Sequence, residues 1–91
     1  MKPVYPIVLT KGNKENFIVF IPDFNINTEG EDMTTAIEMA RDAIGVVGID
    51  MQANNEKLPI PSSMESIELQ FDDAIITLVD IDFDDYRKKM I

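Results

Sequence analysis

From Val4 to Thr10 the side chains alternate, with Tyr5, Ile7 and Leu9 on one side and Val4, Val8 and Thr10 on the other. That is the period-two pattern of a β-strand, read here as spanning Met1 to Thr10. Pro6 within it indicates an edge position or an N–H side facing solvent. Lys11–Glu15 is a polar connection of hairpin length, with Gly12 and Asn13 suited to positive φ. Every residue from Phe17 to Ile21 is then aromatic or β-branched, which predicts a strand buried on both faces. Pro22 ends that run, Asp23 and Asn25 form a turn, and Ile26 and Thr28 alternate as a short third strand closed by Gly30.

The spacing then changes from two to between three and four. Met33, Ala36, Ile37, Ala40, Ile44, Val47 and Met51 lie on one stripe, predicting an amphipathic helix from an Asp32 N-cap to about Met51. Gly45 and Gly48 each weaken it by roughly 1 kcal/mol relative to alanine, a cost offset if they let the helix sit close against the sheet. Asn54–Asn55 stops the helix, Pro59 and Pro61 favour an extended path, and Ser62–Glu65 can form one helical turn. Glu68–Asp73 is ambiguous. Ala74–Phe83 reads as the last strand, and Asp84–Lys89 as the start of a short helix with acid at its N-terminal end and base at its C-terminal end. The expected fold is α+β: a three-stranded antiparallel meander, one long helix packed on the sheet, and a further C-terminal strand.

Composition narrows the function. Ninety-one residues make one domain, burying roughly 60–65% of the unfolded surface. With 45% hydrophobic residues the chain is not disordered, and without cysteine or histidine it lacks disulfides, thiolate metal ligands and the usual general base. The net charge of −9, from 17 acidic against 8 basic residues, opposes direct nucleic-acid binding and favours a basic partner. The same charge also serves solubility alone. No targeting signal or membrane-spanning stretch is visible, so a cytoplasmic location is expected. Strand three, if it lies at an edge, could pair with a symmetry mate, which leaves a homo-oligomer possible.

The sharpest chemical candidate is Asp80-x-Asp82 with Asp84 and Asp85. Alternation along a strand sets Asp80 and Asp82 on one face roughly 7 Å apart, close enough to share a hard divalent cation with a third carboxylate such as Asp23. D-x-D is a weak signal in a chain that is 27% charged. Solvent-facing acids, or acids that receive a partner's Arg or Lys, are the better reading. Ser62, Ser63 and Ser66 have no histidine to activate them, and no phosphate-binding glycine motif is present. No enzyme, cofactor or metal is expected.

A set of short segments nevertheless matches one family in its order. They are Tyr5-Pro-Ile-Val8, Phe20-Ile-Pro-Asp-Phe24, Asn27-Thr-Glu-Gly30, Ala36-Ile-Glu-Met-Ala-Arg-Asp-Ala43, Leu58-Pro-Ile-Pro-Ser62, and Leu78-Val-Asp-Ile-Asp82 with Tyr86-Arg87. With them the chain resembles the N-terminal domain of HicB-type antitoxins from bacterial HicA–HicB toxin–antitoxin systems. The resemblance implies a partial RNase H-like fold without nuclease activity, which binds a small basic HicA-type mRNA-cleaving toxin and covers its active site. It implies a toxin-binding domain over residues 1–83 and a short tail or linker over 84–91. Many family members continue there into a DNA-binding domain that represses the operon, so this chain is read as a shortened piece or a single-domain member. For the toxin interface the expected anchor is Phe24, with Asp23, Glu29 and Glu31 as charged partners and Asp80 and Asp82 as further acids; Phe24 could equally be core. The alternatives are a regulatory module of the same fold with another partner and a carboxylate-dependent nuclease.

Overall fold

In a computed structural model the described residues, 2–69 and 73–89, form four strands, two α-helices and one 3-10 turn. Strands β1 (Val4–Lys11), β2 (Phe17–Ile21) and β3 (Ile26–Gly30) are followed by helix α1 (Met33–Ala53). The turn Met64–Ser66, strand β4 (Ile75–Asp80) and helix α2 (Phe83–Lys89) complete the order. One antiparallel sheet runs β3-β2-β1-β4, with Val8 opposite Phe20 on one side and Ile76 on the other. The α+β class, the meander, the long helix on the sheet and the added strand are therefore all present. Met1, where the first strand was expected to begin, and residues 70–72, inside the ambiguous Glu68–Asp73 stretch, lie outside the described residues, as do residues 90 and 91.

Helix α1 covers one face of the sheet, and the core lies between them. Tyr5, Ile7, Leu9, Val19, Ile21 and Val79 from the strands meet Ala36, Ala40 and Ile44 from the helix, with Ile81 and Phe83 closing the end. Burying each large aliphatic among these contributes about 1.5–3 kcal/mol. Asp32 caps α1 as its sequence position predicts, its carboxylate accepting the Thr35 N–H at 2.7 Å. Asn55, at φ 60°, turns the chain away after the helix.

Five expectations are corrected. β2 is buried on one face only: Val19 and Ile21 are inside, while Ile18 and Phe20 are exposed. One long helix can cover only one face of a single-layer sheet. β1 is an inner strand, so of the two readings of Pro6 the edge position fails; pairing with β2 starts only at Val8, and position 6 has its partner, Leu78, on the β4 side. The hairpin after β1 puts positive φ at Glu15 (62°) and at neither Gly12 nor Asn13. The last strand ends at Asp80, and Phe83 begins α2. Gly45 and Gly48 do permit close packing, but against α2: a Cβ at Gly45 would sit 2.8 Å from the Tyr86 ring, and one at Gly48 would overlap Phe83.

Candidate partner-binding site

The six residues singled out for partner binding fall in three separate places. Asp23 and Phe24 occupy the β2–β3 turn. Asp23 is already engaged, accepting the Ser62 N–H at 2.9 Å and the Ser62 hydroxyl at 2.5 Å. Phe24 is half-buried, edge-on to Tyr5 with ring centroids 4.9 Å apart. Tyr5 in turn donates its hydroxyl to the Pro59 carbonyl at 2.8 Å. Burial pushes the Tyr5 phenol above its ordinary pKa of 10, and the Asp23 carboxylate adds to the shift. The turn thus fastens the segment that leaves α1, and Leu58 of that segment packs on the core.

Glu29 and Glu31 lie at the far end of β3, where the chain enters α1. Both are exposed and line one shallow recess together with Lys14 and Met39. Asn16 donates to the Glu29 carboxylate at 2.8 Å, which leaves its charge in place.

Asp80 and Asp82 lie across the sheet, at the β4–α2 junction. Arg41 of α1 donates to the Asp80 carbonyl at 3.0 Å and to its carboxylate at 3.2 Å. Both side chains of this pair are largely solvated, so it contributes little to stability. Asp82 lies beyond the strand and caps α2, accepting the Asp85 N–H at 3.1 Å. That N–H holds its carboxyl below the usual carboxylate range, with Lys2 adding to the effect. Asp23, Asp80 and Asp82 therefore each have a protein partner, and among the described residues no three acidic side chains gather as a metal site would need.

Sequence reasoning missed the sheet face opposite α1. There β2, β1 and β4 bring Phe20, Val8 and Ile76 into one row, with Ile18 and Leu78 beside it. Ile18 is 44% exposed, Phe20 37% and Leu78 48%. Ile67 and Glu68, beyond the Ser62 anchor, and Asp73 and Ala74, just ahead of β4, wall a groove of about 780 Å³ above it. The signal was available: a single amphipathic helix was predicted, so one face of Phe17–Ile21 had no helix to cover it.

Among the described residues no helix is long and apolar enough to cross a membrane. The family model for the HicB_like antitoxin of bacterial toxin-antitoxin systems matches residues 5–91. No curated protein matches the chain. Among solved structures, a chain of a toxin–antitoxin complex from Streptococcus pneumoniae superposes with a TM-score of 0.81 at 22% identity, over 94% of this chain and 73% of that one. The N-terminal domain of the Burkholderia pseudomallei antitoxin HicB gives 0.77 at 24% identity, over 87% of this chain and 98% of that one. A HicA3–HicB3 toxin–antitoxin complex gives 0.66 at 23%, over 87% and 98%. At these identities the likeness is one of fold.

Proposed function

Because the chain belongs to the HicB-like antitoxin family of bacterial toxin–antitoxin systems, we propose that it binds and neutralises a small, basic HicA-type RNase toxin by covering that toxin's active site. The observation that carries this reading is the family match over residues 5–91. Charge supports it, since a chain of net −9 attracts a basic protein and speeds their encounter. Residues 1–83 act as the toxin-binding domain in a cytoplasmic complex, without catalysis of their own. In a longer chain, repression of the operon would fall to a following DNA-binding domain and not to these residues.

The experiment is co-expression of the untagged protein with its neighbouring gene, followed by mass spectrometry of the purified material. The expected result is a small basic protein at fixed stoichiometry, with RNase activity that emerges only after the complex is denatured. Purification of the chain alone, beside a neighbour harmless to cells, would leave the family match reporting fold without the partner.

A further inference from the structure

We propose that the toxin docks on the outer sheet face, in the groove floored by Val8, Ile18 and Phe20 and continued along the sheet by Ile76, and not on Asp23 and Phe24 of the turn. The inference rests on the antitoxin reading and adds the surface to it. A sheet face left to water normally carries polar side chains at alternate positions. Here the outward positions of β2 are Ile18 and Phe20, and those of β4 include Ile76 and Leu78. A contiguous apolar surface of this kind marks a place where another molecule sits.

Charge selects the occupant. Glu68 and Asp73 stand on the groove wall, and Glu29 is paired with Ile18 at the β3 side, against Lys11 alone at the hairpin end. A second copy would bring the same acids and another −9 of net charge against them, which costs affinity. Nucleic acid is opposed by the same acids. The occupant that fits is a protein presenting apolar side chains ringed by Lys or Arg, with Phe20 and Ile18 as the central contacts. The turn residues are the poorer choice because Asp23 is bound to Ser62 and Phe24 is packed on Tyr5.

The test uses the neighbouring gene's basic protein, recovered from the co-purified complex, and measures its affinity for wild type and three exposed-site variants. Ile18→Lys and Phe20→Ser are expected to weaken binding by about 30-fold or more, the scale of a central interface residue. Val46→Lys, exposed on α1 and outside the groove, is expected to leave it unchanged. The reverse pattern overturns this docking face while the antitoxin reading stands. Failure of the wild type to bind overturns both. A wild-type dimer that Ile18→Lys converts to monomer assigns the face to copies of the chain and also overturns the proposal. Hydrogen exchange gives an answer independent of mutant folding: the complex should protect residues 17–20 and 75–78, and unchanged exchange there would sink the idea.

Discussion

The Asp23 carboxylate holds Ser62 by two hydrogen bonds across 39 residues of sequence, one from the backbone N–H and one from the hydroxyl. This contact decides where the chain goes after α1. It turns the segment around the end of the sheet next to Pro22 and starts it across the open face toward β4, which begins beside Leu9. Hydrogen bonds to an ionised acceptor contribute about 1.5–3 kcal/mol each way a partner is removed. Asp23→Ala is therefore expected to lower the unfolding free energy by about that amount. Amide exchange should accelerate locally at Leu58–Ile67. A urea titration and an exchange map check both; a large global loss without local acceleration would mean that the anchor does not position the segment.

Gly48 sets a second close approach. Alanine in an exposed helix interior gains about 1 kcal/mol over glycine, yet at Gly48 the added methyl would overlap Phe83 of α2, which is buried. Overpacking of this sort costs about 1–3 kcal/mol, so the strain exceeds the helix gain. Gly48→Ala should lower the melting temperature, and pairing it with Phe83→Leu should recover part of the loss. At Gly45 the neighbour is the half-buried Tyr86 ring, which the added methyl would overlap less deeply, so Gly45→Ala should cost less. Thermal melts of the two single variants and the double mutant check the order. A stabilised Gly48→Ala would show that α2 moves aside freely.

Acid titration tests the two helix caps. Backbone N–H groups hold the carboxyls of Asp32 and Asp82 below their usual value of 3.8, Thr35 supplying the first and Asp85 the second. Below the ordinary value the unfolded chain takes up protons that the folded caps refuse. Their stabilisation is complete above that value and is lost as pH falls through the depressed ones. Net charge acts the other way, because the self-repulsion of a −9 chain is relieved as pH approaches the pI of about 4.2. Stability should thus rise from pH 7 toward the pI and fall below it. Asp32→Ser keeps a capping oxygen but does not titrate, so its acid decline should be shallower than the wild type's. Urea midpoints across pH for both proteins check this, and parallel declines would exclude Asp32 as a contributor.

The strands, the helix and its cap were legible because each rests on local spacing: Tyr5–Ile7–Leu9 at two, Ala36–Ala40–Ile44 at four, Asp32 three residues ahead of the N–H it accepts. What escaped depends on partners distant in sequence. Nothing local in Phe17–Ile21 says that α1 will cover Val19 and leave Phe20 on the outer face; that follows from there being one long helix for two faces. Nothing near Asp23 says that its carboxylate will be taken by Ser62, or that Asp82 will leave the strand to cap α2. Those assignments changed the candidate site most, since they engage the acids that charge alone had offered to a partner. The glycines were half-legible: their spacing announced a close approach, but the surface that comes close is the aromatic side of a short helix too distant in sequence to be named.

Tyr5 joins the core to the segment after α1 through its hydroxyl, which donates to the Pro59 carbonyl at 2.8 Å, while its ring packs edge-on to Phe24. Tyr5→Phe keeps the ring and deletes the bond, so it should cost about 1 kcal/mol near neutral pH. The pH dependence identifies the cause. The folded phenol titrates above 10 because burial and the Asp23 charge oppose ionisation. The unfolded phenol ionises at its ordinary value, so between the two values folding requires a proton that the unfolded chain has lost. The contribution is complete below pH 10 and disappears as pH rises through the folded value. Wild type should exceed Tyr5→Phe in urea midpoint from pH 7 to 9 and lose that advantage in more alkaline solution. Tyr86, half-buried and hydrogen-bonded to Asp42, supplies the comparison through Tyr86→Phe. A wild-type advantage that persisted unchanged far above pH 10 would mean that the proton donated to Pro59 is not its source, and the stabilising role of that hydrogen bond would fall.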